Sequence, residues 1–203
     1  MAIVRPFLGW RLCLQWIGAT IMGLAAGTAV VGLLKNIVAV ALPGDWTAVM
    51  IGAGAGLMQW VVLRGHLSRA GRWILATIAG WVLGLPIGGR VASWVNSEIM
   101  TAGLAMASIG LMQWFVLRRH VLRACWWVLA SAAGWLIGLV VGEGVANAMG
   151  GPVWSVVAVA LGGTIIGTVT GIPLVWLLRH PSNWAKLAVT APDASFGHRK
   201  VVL

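Results

Sequence analysis

The residues of this chain that could do chemistry are few, and most occur as matched pairs. Gln59 and Gln113 stand inside apolar stretches, five positions before Arg64 and Arg118 respectively, which is about 7.5 Å along a helix. A carboxamide in such a setting either ties helices together by hydrogen bonds or lines a polar vestibule. Leu174 occupies the matching place near the chain's end when Arg179 is set against Arg118, so a ring of polar groups is expected to be broken there. Arg90 and Glu143 form a second pair of candidate polar or pathway residues, near the ends of two apolar stretches. They either meet across a bundle or reach outer water separately. His66, His120 and His180 each follow an arginine within two residues, which raises metal or tetrapyrrole ligation. No carboxylate or cysteine accompanies them at ligand spacing, so solvated loop residues are the expectation.

The rest of the inventory excludes more than it suggests. With four acids in the whole chain, no paired carboxylates and no glycine-rich phosphate loop, acid–base enzymology is not expected, and no catalytic, cofactor-binding or metal residue is assigned. Nothing in the residues selects a bound lipid or pigment as a cofactor. Cys13 and Cys125 read as small packing residues at the edge of a reducing compartment, not as a disulfide.

These residues are carried by a duplicated element. The window Gly56 to Ala92 and the window Gly110 to Ala146 align without a gap at an offset of 54, with 22 identities in 37 positions. Composition says what the unit is: 60% hydrophobic and 9% charged residues, with a mean hydropathy of +0.94, belong in a bilayer. Six apolar stretches, Leu12 to Leu34, Trp46 to Leu63, Trp73 to Val95, Ile99 to Leu117, Trp126 to Met149 and Val153 to Leu178, each hold 18 to 26 residues. About 20 are needed to span the hydrocarbon core as a helix. The fold class expected is therefore an all-α integral membrane protein of six transmembrane helices. They form three tandem hairpins (12–64, 73–118 and 127–179) within one domain over 1–180, followed by a cytoplasmic tail over 181–203. Each unit has two spans, so its copies enter the membrane in one orientation, as a parallel repeat with a pseudo-threefold axis. Setting Gly23, Leu24 and Gly27 against Gly84, Leu85 and Gly88 makes the first span a degenerate copy of the third, at an offset of 61. That kinship argues against a cleaved signal sequence at the N-terminus.

Packing is expected to rest on glycine, because lipid offers helices little hydrophobic reason to associate. Rows at every fourth position form ridges without side chains: Gly23 and Gly27; Gly80, Gly84 and Gly88; Gly134, Gly138 and Gly142; Gly163, Gly167 and Gly171. Read as glycine zippers, these are helix seams within the chain. Ten of the 14 tryptophans fall where interfacial belts would lie, with Trp10, Trp60, Trp73, Trp114, Trp126, Trp127 and Trp176 toward one face and Trp46, Trp94 and Trp154 toward the other. Trp81 and Trp135 lie deeper, beside Gly80 and Gly134, and are expected to fill space between helices. Pro86 and Pro173 fall inside spans and would each remove a backbone hydrogen bond.

Net charge is +10, and its distribution decides between nucleic acid and membrane. Twelve of the 14 basic residues fall on one side of a six-span topology. Arg64, Arg69 and Arg72 would contact lipid headgroups from one loop, and Arg118, Arg119 and Arg123 from another. Asp45, Glu98 and Glu143 fall at the opposite side. The positive-inside rule then places both termini in the cytoplasm, and the basic residues against anionic lipids rather than nucleic acid.

The words LMQWVVLR and LMQWFVLR, followed by ATIAGWVLG and ASAAGWLIG, resemble those of uncharacterised bacterial multispan membrane proteins over Gly56 to Ala146. The resemblance implies a bacterial inner-membrane location and attaches no activity. The functional expectation is a non-enzymatic structural or accessory subunit that packs with partner proteins, with copies of itself or with lipids. Its rival is a small-solute or ion transporter or channel along the pseudo-threefold axis.

Overall fold

The computed structural model describes residues 8–37, 44–67, 69–95 and 98–180. The segment 181–203, expected to form a tail, lies outside the described residues, as do Pro43, Asn96 and Ser97 of the outer turns. Six helices are formed: α1 Leu8–Ile37, α2 Gly44–Leu63, α3 Arg72–Val95, α4 Glu98–Leu117, α5 Cys125–Met149 and α6 Gly151–Leu178. No strand occurs among the described residues. Ala and Leu favour helix intrinsically, and in lipid a helix satisfies every interior backbone group within its own segment, which carries the β-branched Val and Ile along. Pro86 and Pro173 are accommodated inside α3 and α6.

Four helices carry stretches long and apolar enough to cross a membrane: Gly9–Asn36, Arg72–Arg90, Cys125–Met149 and Val156–Leu178. The apolar stretches of α2 and α4 are shorter, Val49–Leu63 and Gly103–Leu117. Large apolar side chains point outward along the helices, among them Leu14, Met22, Leu75, Leu129, Val156 and Ile172, so the surface is one that lipid solvates well.

Each helix packs on its neighbour in sequence, and α6 closes on α1 to complete a ring. Glycines make the close approaches. A Cβ at Gly80 would lie 2.5 Å from Ile109 Cα, and one at Gly23 would lie 2.5 Å from Ala55 Cα, both too near for any side chain. Gly27 faces Ile51, Gly84 faces Ala105 and Ser108, and Gly134, Gly138 and Gly142 face Val169, Ile166 and Ala158 of α6. Gly163, Gly167 and Gly171 face Ile21, Ile17 and Trp16 of α1. Gly88 is buried.

These contacts correct the register expected from the sequence. Gly23 meets α2 as Gly80 meets α4, which sets α1 against α3 at an offset of 57 rather than 61. The same holds for α6, where Leu174, not Leu178, is fully buried in the manner of Leu63 and Leu117. The difference is one helical turn.

Candidate functional site

Where α1, α3 and α5 begin and α2, α4 and α6 end, the ring closes over a layer of tryptophans. Trp16, Trp73 and Trp127 are at most 1% exposed. Their rings meet edge to face, with centroids 5.7 Å apart for Trp16 and Trp73, 5.9 Å for Trp16 and Trp127, and 5.5 Å for Trp73 and Trp127. That is van der Waals contact all round, in the arrangement aromatic quadrupoles prefer. Leu63, Leu117 and Leu174, all fully buried, belong to the same cluster, as do Leu67, Ala70, Val121 and Ala124 from the two connecting loops.

An indole buried this far from water needs an acceptor for its N–H. Trp73 Nε1 donates to Gln59 Oε1 at 3.1 Å, and Trp127 Nε1 donates to Gln113 Oε1 at 3.0 Å. The carboxamide nitrogens are used as well: Gln59 Nε2 donates to Thr20 Oγ1 at 3.2 Å and Gln113 Nε2 to Thr77 Oγ1 at 3.0 Å. Thr20 and Thr77 in turn donate to the carbonyls of Trp16 and Trp73 one turn earlier. Each glutamine therefore clamps three successive helices, α1–α2–α3 through Gln59 and α3–α4–α5 through Gln113. At the third junction Trp16 Nε1 donates to Thr170 Oγ1 at 2.9 Å. Ser131, which stands four residues after Trp127 as Thr20 does after Trp16, has a buried Oγ without a hydrogen-bond partner among the described residues.

Hydrogen bonding between helices is one of the two roles that the sequence predicts for Gln59 and Gln113, and it is the one the structure shows. Their partners differ from expectation: Trp73 and Trp127 lie in the core and not in an interfacial belt, and Thr170, not Leu174, answers to the two glutamines. Trp10, Trp46, Trp126 and Trp176 do lie exposed on the surface. The signal that could have found the layer is the spacing Trp16–Thr20, Trp73–Thr77 and Trp127–Ser131, an aromatic donor with a hydroxyl one turn on.

A second layer lies two turns farther in. Leu24, Trp81 and Trp135 are buried there, with the two indoles edge to face at 5.4 Å. Trp81 sits over Gly52, and its Nε1 has no hydrogen-bond partner among the described residues. Packing between helices accounts for both tryptophans.

The basic residues surround the outside of the first layer. Arg64 lies over the Trp60 ring at 5.7 Å, and Arg118 over Trp114 at 4.9 Å and Phe115 at 4.8 Å, within the range of cation–π attraction. Arg69 and Arg123 hold left-handed backbones, with φ of 59° and 58°, where each loop turns back into the next helix. Arg72 is the first residue of α3 rather than a loop residue. Arg119 is exposed, and beside it burial and the Arg119 charge both lower the His120 pKa from its ordinary value. His66 and His180 bring Nδ1 to the carbonyls of Val62 and Trp176, and no group of three potential metal ligands exists among the described residues. Arg90 and Glu143 are both exposed. Cys13 and Cys125 are free thiols.

No protein-family model, curated protein or solved structure matches the chain.

Proposed function

We propose that this chain is a non-enzymatic integral membrane protein, a structural or accessory subunit whose six helices all cross the bacterial inner membrane with both termini in the cytoplasm. In this reading the three hairpins are tandem copies of one unit around a pseudo-threefold axis along the bilayer normal. The charge distribution supports the orientation, since Arg64, Arg69, Arg118, Arg119 and Arg123 gather at the end where the tryptophan layer lies. The shorter apolar stretches of α2 and α4 are compatible with crossing, because flanking tryptophans and arginines extend the reach of a short span to the interface.

The observation that carries the reading is the closure of the axis. Trp16, Trp73 and Trp127 fill it by mutual contact, and the polar groups a pathway would use are engaged with one another. Gln59 and Gln113 are 4% and 2% exposed, with their carboxamides bonded to indoles and threonines rather than turned toward water. A bundle sealed in this way offers a rigid surface, and its outward face of large apolar side chains is what lipid or another membrane helix would cover.

Native mass spectrometry on protein extracted in mild detergent from its own host membrane tests the reading. A reproducible stoichiometric partner is the expected result; a bare monomer under conditions that keep known complexes intact would overturn it. Orientation has its own test. A cysteine introduced by Ser97→Cys should label from outside intact cells and one introduced by Ser68→Cys should not, and labelling of the latter would reverse the topology.

A further inference from the structure

The three sectors of the ring are alike at their tryptophans but not at their rims. Between α3 and α4, on the basic end, a groove of about 510 Å³ is lined by Arg69, Arg72, Arg119 and His120 above the apolar side chains of Met112 and Phe115. Among the described residues, no carboxylate lines it. The positions that correspond in the other two sectors, counted from the buried tryptophan and leucine of each hairpin, lack this set. Arg72 precedes Trp73, where Trp126 precedes Trp127 and Gln15 precedes Trp16. Arg119 stands two residues after Leu117, where Gly65 follows Leu63 and Trp176 follows Leu174. Arg69 has a counterpart in Arg123 and His120 in His66, so what is peculiar to this sector is Arg72 and Arg119 together.

The chemistry of the groove has two halves. Three guanidinium groups converging on one concavity offer paired N–H donors that match the geometry of phosphate oxygens. Ala76 and Phe115, which line the groove, continue at helical spacing into exposed apolar side chains, Leu83 and Ile87 on α3 and Leu111 and Leu104 on α4. A soluble phosphate would use the first half and ignore the second. A phospholipid uses both, with its headgroup among the arginines and an acyl chain along the α3–α4 seam.

From this juxtaposition we infer that the α3–α4 groove is a stoichiometric binding site for one anionic phospholipid per chain, distinct from the diffuse attraction of the basic end for a charged leaflet. The inference rests on the membrane placement proposed above and not on the existence of a protein partner, so its failure would leave the accessory-subunit reading standing.

The test is lipid titration followed by native mass spectrometry on the full chain in detergent, with dioleoyl phosphatidylglycerol, dioleoyl phosphatidylcholine, glycerol 3-phosphate and inorganic phosphate as separate probes. One phosphatidylglycerol should be retained per chain, with phosphatidylcholine and both water-soluble phosphates bound more weakly by roughly tenfold or more. The double variant Arg72→Gln/Arg119→Gln should lose that preference. Arg64→Gln/Arg123→Gln, which removes the same charge from the same end outside the groove, should keep it. Equal loss in both double variants would reduce the effect to net charge and overturn the site. Binding of inorganic phosphate as tight as that of phosphatidylglycerol would overturn the lipid as its occupant.

Discussion

Two of the three junctions in the tryptophan layer are built with glutamine and the third with threonine. Around Gln59 and Gln113 a single side chain accepts from an indole on the next helix and donates to a hydroxyl on the preceding one, so three helices share one pair of bonds. Thr170 accepts from Trp16 and donates to the Ile166 carbonyl of its own helix at 2.6 Å, which leaves Ser131 Oγ on α5 without a partner among the described residues. The difference is one of reach. Thr170 sits against the Gly134 backbone, with its Cγ2 3.1 Å from where a Cβ would stand, so α5 and α6 are held there by contact and not by a polar clamp. The missing link is therefore the one between α5 and α6, whereas α6 is still bonded to α1 through Trp16 as α2 is to α3 through Trp73. An indole bond joins each hairpin to the next all round the ring, and the third hairpin alone holds its own two helices by shape at this layer.

That contrast can be broken most severely through the indoles themselves. Trp73→Ala removes a fully buried ring from contact with two others and strands Gln59 Oε1, and it should cost about 3–5 kcal/mol of stability in detergent unfolding. Trp126→Ala, on the exposed side of α5, should cost less than about 1 kcal/mol. Equal effects would mean that the layer is not the core. Next in size, Gln59→Leu leaves Trp73 Nε1 without its acceptor and should cost about 1–3 kcal/mol. Thr170→Val breaks a single indole bond and should cost nearer 1 kcal/mol, a difference visible in the same unfolding series.

The third junction can also be mended. Thr170→Gln supplies the reach that Gln59 and Gln113 have, and it should raise stability by about 0.5–1 kcal/mol if the longer side chain bonds both Trp16 and Ser131. A loss instead would show that the close α5–α6 contact at Gly134 is worth more than the missing bond. The smallest effect is expected at the orphaned hydroxyl. Ser131→Ala should be neutral or slightly stabilising, since it removes a buried group that makes no bond among the described residues, whereas Thr20→Ala, which strands Gln59 Nε2, should cost about 1 kcal/mol. Thermal melts of the two variants side by side give the comparison directly.

How much of this was legible in the chain depended on which signals are degenerate. The duplication at an offset of 54 is plain, because 22 identities in 37 ungapped positions do not arise by chance. The helical class and the interhelical use of Gln59 and Gln113 are legible too, since a carboxamide inside an apolar run must find a polar partner. The register of α1 and α6 is not. Glycine rows that repeat every four residues look the same after a slip of four, so Gly23 and Gly27 align with Gly84 and Gly88 as readily as with Gly80 and Gly84. In the sequence the pairs Trp16–Thr20 and Trp73–Thr77 break that degeneracy at an offset of 57, and the contacts of Gly23 and Gly80 give the same register. Trp73 and Trp127 resemble belt residues for a related reason. Tryptophan at the end of a span suits the interface and the core equally well, and the choice is made by which face of the helix it occupies. Trp126 and Trp127 show this most plainly, one 55% exposed and its neighbour 1%.

The central proposal is that the ring, closed at the tryptophan layer, carries no solute along its axis. The direct measurement is ion and small-solute flux into proteoliposomes holding the purified chain, against empty vesicles and against vesicles holding Gln59→Leu/Gln113→Leu. Wild-type vesicles should be no leakier than empty ones. A flux well above that baseline which disappears when the two glutamines are replaced would contradict the account and make the layer the gate of a pathway.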